Sequence, residues 1–443
     1  MALNRCGKVT NMPTTEPGRR AFLKTAGGVA AASLLPKAYA ASDRISVAFI
    51  GVGVMGSENL KAAMAQTGVA VSAVCDVYQP NLERAVALAR RSGHQPKEVR
   101  DFREILADRS IDAICISAPD NWHPYMAVEG CKAGKDVYVE KPACVAVDEG
   151  MVMVEAARKY KRIVQAGTWQ RSGAHFQKAC EIVRSGALGK IAFVRTWIYS
   201  NQPQQGIGNP ADGTPPAGLD WDLWLGPAPE RAFNPNRFGV YPDAYSYFRF
   251  FWDYAGGQLT DSGVHMIDIV QMAFQEAMPQ SIVALGGKYW FQDDTETPDT
   301  LQVTYDYQSF LGSWEHRSNN TELQASRLMG ITFHGPRGTL YVDRAVCRVT
   351  PEKGSDLEPF EMKRVADPHP LHWTNFIECV RTRQKPNSEI ETCVRSSIAS
   401  ILGNLSLRGK MRLDWDDQTH TVRQAEARPW LHREYRSPWK LSL

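Results

Sequence analysis

The stretch that most constrains the fold is "ISVAFIGVGVMGSENL", residues 45–60, where an apolar run breaks into glycines at 51, 53 and 56 and then into a helical pattern. A buried strand that turns at once into a helix builds a phosphate-binding corner. Gly51 permits the tight turn, Gly53 lets backbone approach a pyrophosphate, Gly56 lets helix and strand pack closely, and the helix N–H groups face the anion. Alone, G-x-G-x-x-G is a weak signal, and a glycine-rich turn that binds nothing is the competing reading. The next strand, "VAVSAVCD", ends in Asp76, 20 residues past Gly56, the offset of an acid that holds both ribose hydroxyls. Such an acid repels a 2′-phosphate, so NAD is preferred over NADP.

The alternation continues. "IDAICIS", "DVYVE" and "RIVQAG" read as strands between the helical patterns "QPNLERAVALARRSG", "HPYMAVEGCKAG" and "VDEGMVMVEAARKY". Strands alternating with helices predict a doubly wound parallel sheet over 41–166. Beyond 167 the style changes. A helical stretch, "FQKACEIVRSGALG", leads to long alternating runs, "KIAFVRTWIYS", "SIVALGGKYWF", "TLQVTYDYQSFLGSWEH" and "RLMGITFHGPRGTLYVD", which predict a large, mostly antiparallel sheet in a second α+β domain, 167–443. A loop rich in Pro, Gly and aromatics over 200–260 predicts a lid or binding element, and helices are expected near 371–384 and 391–408. A length of 443 residues with 43% hydrophobic content suits two cores.

Residues 1–40 read as a targeting segment. "RRAFLK", the weakly apolar "TAGGVAAASLLP" and "AYA" at 38–40 follow the order of a twin-arginine export signal, with the translocase as a transient partner and a periplasmic or otherwise exported product. The apolar run is shorter than the ~20 residues a membrane span needs, so no stable anchor is expected. That segment holds six cations against one anion, so the rest of the chain carries −2 of the total +3. A body this near neutrality lacks the basic footprint of nucleic-acid binding. Nine cysteines show no CxxC or Cys/His spacing, which predicts no metal site, and Cys75 and Cys115 fall in apolar strands as small buried hydrophobes.

The chemistry gathers at strand ends. In "DVYVEKP" an apolar strand stops at Glu140, Lys141 and Pro142, at the carboxyl edge where ligands of such sheets bind. Lys141 there hydrogen-bonds a substrate hydroxyl and relays its proton, Glu140 lies beside the cofactor, and Pro142 fixes the turn, with a cis Lys141–Pro142 bond expected. A merely charged strand end is the competing view. In "TDSGVHMID", Asp261, His265 and Asp268 are spaced four and three apart, one face of a helix. A carboxylate one turn from a histidine orients the imidazole and stabilises its cation. Otherwise His265 is a satisfied core histidine and Asp261 a cap. Asn121 and His123 in "APDNWHP" are candidates to touch the nicotinamide, with helix capping the alternative for Asn121. Trp169, Gln170 and Arg171, and Tyr247, Arg249 and Asp253, suit either a sugar pocket or packing.

Together the export signal, "GVGVMG", "DVYVEKP" and "DSGVHMID" resemble the family of glucose-fructose oxidoreductase, inositol dehydrogenase and MocA. The succession "QAGTWQRS", "ALGKI", "WDLWLGPAP" and "REYRSPWKL" is similar to its exported bacterial branch, over residues 19–443. The resemblance implies catalytic roles for Lys141 and His265 with Asp261 in support, and homo-oligomerisation through an open sheet. It also implies reversible NAD(P)-linked oxidation of a sugar or polyol carbinol, in some exported members with a cofactor that never leaves. The same motifs suit a glycoside hydrolase working through transient NAD oxidation, elimination and water addition. A catalytically silent sugar-binding protein is a third possibility, against which the presence of both Lys141 and His265 argues.

Overall fold

Short apolar runs bounded by glycine turns form six parallel strands in the computed structural model, which describes residues 44–240, 245–275, 277–324 and 327–443. They are β1 Ile45–Ile50, β2 Val69–Cys75, β3 Lys97–Val99, β4 Ala113–Ile116, β5 Asp136–Val139 and β6 Val164–Ala166, in the order β3-β2-β1-β4-β5-β6. The order reverses between β1 and β4, which opens a crevice at their carboxyl ends. β3 escaped the sequence pattern because it is three residues long with two of them exposed. The expected export signal lies outside the described residues.

The sheet ends at Ala166, but its core does not. Helix Pro368–Thr382, with Asp367 capping the His369 N–H, lays Trp373, Phe376 and Ile377 against Phe49, Val71 and Tyr138. Trp373 stacks on Tyr138 with centroids 4.6 Å apart. Burying three such side chains stabilises the junction by several kcal/mol, at about 1.5–3 kcal/mol each.

The second sheet has ten strands: β7 Phe193–Tyr199, β8 Ser281–Gly287, β9 Thr300–Asp306, β10 Leu311–Arg317, β11 Met329–Gly335, β12 Gly338–Val342, β13 Val346–Pro351, β14 Phe360–Lys363, β15 Leu413–Asp416 and β16 Thr421–Val422. Their order is β14-β13-β12-β11-β7-β10-β9-β8-β15-β16, with β7 and β10 parallel and the other pairs antiparallel. Alternation sets the faces. Leu301, Val303 and Tyr305 of β9 point to the core, while Gln302 points away. Helices Ala174–Arg184, Val264–Ala273 and Ile390–Gly409 cover the core side. The opposite face leaves Val283, Leu285 and Leu311 exposed.

The long loop lies over the carboxyl end of the parallel sheet. Gln79 N donates to Gly218 O (3.0 Å), Asp220 N to Val77 O (3.0 Å) and Trp122 Nε1 to Trp224 O (3.0 Å). The tail clamps it in turn, as Arg436 Nε donates to Gly226 O (3.0 Å) and Trp439 packs edge-on against Trp122 at 4.8 Å. Among the described residues all eight cysteines are buried free thiols, and no helix is long and apolar enough to cross a membrane.

Candidate active site

The three glycines of the β1 turn divide their work. Gly51 has φ +79°, and a Cβ there would press on Ala118 N at 2.7 Å. A Cβ on Gly56 would overlap the Gly51 carbonyl, whereas one on Gly53 meets nothing within 4 Å. Gly53 therefore presents bare backbone to open space, as a pyrophosphate requires. Asp76 closes β2 and lines a narrow cavity with Gly53, Trp122, Trp224 and Phe238. Its Oδ2 accepts from Val52 N and its Oδ1 from Tyr78 N, both at 2.8 Å, so the acid also fixes the glycine turn. Burial pushes its carboxyl up, and the two backbone donors oppose that shift. An open glycine backbone, an acid at the end of β2 and an aromatic roof fit NAD.

Through Gly53, Ser117 and Ala118 this cavity continues into a larger one of about 430 Å³, lined by Lys141, Trp169, Arg249, Asp261 and His265. Lys141 Nζ, carried by the end of β5, stands 2.6 Å from Asp261 Oδ1, and Arg249 Nε lies 3.4 Å from Asp261 Oδ2. Burial raises the Asp261 carboxyl, but the Lys141 and Arg249 charges outweigh it and hold it well below the usual carboxylate range. The Lys141–Pro142 bond is cis, as expected. Glu140, 5% exposed, lines the cavity too, and its Oε1 accepts from Asn59 Nδ2 at 2.9 Å. The motifs at 53 and 141, at the parallel-sheet edge, and at 261–265, in a π turn and the helix after it, thus converge on one cavity.

The expected relation between Asp261 and His265 is corrected. Residues Leu259–Gly263 form a π turn ahead of helix Val264–Ala273, and the extra residue in that turn aims Asp261 at Lys141 rather than along the helix at the imidazole. Burial first, then the Lys141 and Arg344 charges, depress the His265 pKa well below its ordinary value, so the ring is neutral, not a stabilised cation. Among the described residues its Nδ1 has no hydrogen-bond partner, though it is buried.

Other expected residues divide. Trp169 and Arg249 line the cavity. Arg171 does not: it is buried 2.8 Å from Asp268, which leaves the face it was expected to share with His265 for a structural pair. Asp253 is likewise structural, pairing with Arg231 (2.8 Å) and Arg237 (3.1 Å) away from the lining. Tyr247 is not a lining residue, although its neighbours Ser246 and Phe248 are. Asn121 is fully buried and donates to Leu225 O at 3.2 Å, so it holds the overlying loop rather than reaching a nicotinamide. His123 sits at the cavity edge with its nitrogens 2.7 Å from Pro142 O and 2.9 Å from Ala118 O. Burial holds its pKa to about 4, so the neutral ring donates to one of the two. Gln170 is buried behind the site.

Sequence reading missed Asn59, Asp120, Arg344 and His369. Asn59 joins both halves: it donates to Glu140, and its oxygen accepts from His369 Nε2 (2.8 Å) and Trp373 Nε1 (3.0 Å). Its signal was a polar residue on the buried face of helix Val54–Met64. Asp120, after β4, lines the cavity, and burial pushes its carboxyl up to about 7 against the lowering charges of Lys141 and Arg249. It stands next to Asn121 in "APDNWHP", one position before the residue that motif suggests. Arg344 and His369 belong to no local motif.

Comparison with known proteins agrees with this architecture. Residues 45–168 match the NAD-binding Rossmann fold of an oxidoreductase family, Gfo/Idh/MocA, and residues 193–441 match the C-terminal alpha/beta domain of that family. A glycosyl hydrolase family 109 protein of Shewanella sp. (strain W3-18-1) is 29% identical over 201 residues, covering 39% of this chain and 44% of the relative. An inositol 2-dehydrogenase of Salmonella paratyphi B is 30% identical over 158 residues, covering 35% and 46%. The chain thus spans less than half the length of these curated relatives. The crystal structure of the WlbA dehydrogenase from Bordetella pertussis, in complex with NADH and UDP-GlcNAcA, superposes with a TM-score of 0.62 at 20% identity, over 84% of this chain and 99% of that one. At that identity it shows the shared fold.

Proposed function

From the premise that the chain belongs to the Gfo/Idh/MocA oxidoreductase family, we propose that it oxidises a sugar or polyol carbinol at the cavity of Lys141, Asp261 and His265. One observation carries this reading: Lys141 Nζ, from the parallel-sheet edge, meets Asp261 Oδ1 at 2.6 Å in a cavity that His265 and the bare Gly53 backbone also line. Bound NAD supplies the hydride acceptor. The neutral His265 imidazole takes the hydroxyl proton as the carbinol becomes a carbonyl, while the Lys141 ammonium, held by Asp261, donates a hydrogen bond to the reacting oxygen. Asp76 and the Gly51–Gly56 turn hold the dinucleotide, and the aromatic loop covers it. The measurement is the near-ultraviolet absorbance of reduced nicotinamide when the loaded protein meets a panel of sugars and polyols. No absorbance change with any of them, and no cleavage of their glycosides, would sink the proposal.

An export signal over 1–40 and a strapped nucleotide cleft fit a protein that works where no free NAD pool exists. The cofactor then stays bound and is recycled by a second substrate, and the strap contacts Trp122–Trp224 and Arg436–Gly226 favour that retention. Nucleotide-free protein that exchanges NAD at micromolar concentration counts against it. The open face of the large sheet, with Leu285 77% exposed, is the surface on which we expect a homo-oligomer. Light scattering on Leu285→Asp reads that out as a loss of mass.

The Shewanella relative favours a second reading, glycoside cleavage through transient oxidation, elimination and water addition at the same residues. Release of p-nitrophenol from aryl glycosides without net NADH separates it from simple dehydrogenation.

A further inference from the structure

We propose that the substrate is a sugar acid, and that Arg344 holds its carboxylate; this rests on the carbohydrate reading above. Arg344 occupies the turn between β12 and β13 and lines the same cavity as Lys141 and His265. The other charged groups of that lining are matched. Lys141 and Arg249 share Asp261, Glu140 accepts from Asn59 and the Lys141 N–H, and Glu58 pairs with Lys61 at 2.7 Å. Asp120 lies in the field of Lys141 and Arg249. Among the described residues Arg344 has no carboxylate within ion-pair distance.

Its guanidinium is nonetheless fixed in place. The plane lies over the Trp169 ring at 4.8 Å from the centroid. With the Gln170 amide turned to satisfy both its ends, Gln170 Oε1 accepts from Arg344 Nε at 3.3 Å while its nitrogen donates to His265 O at 3.0 Å. Gln170 is 2% exposed, so this brace is rigid. Among the described residues neither Nη group has a hydrogen-bond partner, and two parallel N–H vectors on a braced guanidinium are the fork that a carboxylate fits. A half-buried cation with no paired carboxylate is costly: burial draws the Arg344 pKa down, against the raising charge of Asp261 across the cavity. A bound carboxylate removes that cost. Stacking on Trp169 alone would need no charge at this position.

The test is isothermal titration of the NAD-loaded Lys141→Met protein, in which oxidation is blocked, with D-glucuronate and D-galacturonate against D-glucose and D-galactose. Wild type with its cofactor in the reduced form serves as the second preparation. At least one acid should bind about 10- to 100-fold more tightly than its neutral sugar, the range of a charge-assisted hydrogen-bonded pair. Added salt should shrink that ratio, Arg344→Gln should abolish it, and Arg344→Lys should keep part of it. Equal affinities, binding of neither acid, preference for glucose 6-phosphate over both acids, or an unchanged ratio in Arg344→Gln each overturn the inference. Acids that bind selectively but are neither oxidised nor released from their glycosides by wild type overturn the oxidation reading and leave this one standing. Neutral sugars oxidised while acids are ignored do the reverse.

Discussion

Lys141–Asp261 and Arg171–Asp268 tie the same sheet edge to the same segment, at 2.6 and 2.8 Å, yet the side chains of the first pair are 13% and 25% exposed and those of the second 4% and 0%. Both acids come from one stretch of eight residues, 261–268, and both bases follow strands of the parallel sheet. What separates them is access. Lys141 has three N–H donors, of which Asp261 engages its carboxylate and carbonyl oxygens, so a donor remains for a ligand in the cavity. Asp268 is closed in by Arg171 and Ser396, with no surface to offer. The π turn at 259–263 makes the difference, because it rotates Asp261 towards the cavity while Asp268, in the regular helix beyond, keeps to the interior. Charge spacing on a helix shows that two elements meet. It does not show which meeting is chemical.

Removing the base of each pair should break the comparison in opposite directions. Lys141→Met should lower kcat/KM by about 10²- to 10⁴-fold, the contribution of a positioned acid–base group, with a small shift in the urea midpoint because its partner stays solvated by the cavity. Arg171→Met should destabilise the fold by about 3–5 kcal/mol, since it strands a buried carboxylate, while the protein that remains folded turns over normally per bound nucleotide. Parallel urea titrations and single-turnover assays measure both. If Arg171→Met loses more turnover per bound nucleotide than Lys141→Met, the division between site and scaffold is wrong. A smaller effect sharpens the scaffold side: Arg171→Leu with Asp268→Leu should be more stable than Arg171→Met alone by about 1–3 kcal/mol, because removing both charges of a buried pair spares the desolvation of one. A double variant no more stable than the single one would show that Asp268 does not depend on that charge.

The parallel sheet and its dinucleotide corner were legible because their signals are local: Gly51, Gly53, Gly56 and Asp76 lie within one β-α-β stretch, and the turn chemistry is written in adjacent residues. Lys141 was legible for the same reason, at the abrupt end of an apolar strand. The hairpins β9–β10 and β11–β12 were visible as alternation interrupted by short turns. Illegible were groups brought in from afar. Arg344 reaches the cavity from a turn whose neighbours are an ordinary strand pair, and helix Pro368–Thr382 covers a sheet that ended two hundred residues earlier. Arg171 and Asp253 failed as site residues because a polar side chain near a cavity satisfies itself on the nearest opposite charge, and those partners, Asp268 and the arginines 231 and 237, follow from tertiary position alone. The π turn misled in the other direction, since four-residue spacing implies one helical face only where the helix keeps its regular period.

Asp120 offers the finest test of how the cavity pair is tuned. It is 7% exposed, and its pKa is raised to about 7, first by burial and against the charges of Lys141 and Arg249. Between its ordinary value and 7 the folded protein keeps a proton that the unfolded chain has lost, so its contribution to stability declines as pH rises through that window, by at most about 1.36 kcal/mol per unit. Asp120→Asn has no such titration. Its stability relative to wild type should therefore climb as pH rises towards 7 and level off above. In the assay, ionised Asp120 competes with Asp261 for Lys141, so wild-type kcat/KM should bend by a few-fold near 7 while Asp120→Asn loses that bend and keeps the rest of the profile. Profiles of both proteins from about pH 5 to about pH 9, with urea midpoints at each pH, measure this. A bend near 7 that survives in Asp120→Asn assigns it to another group and leaves the Lys141–Asp261 pair untouched by its acidic neighbour.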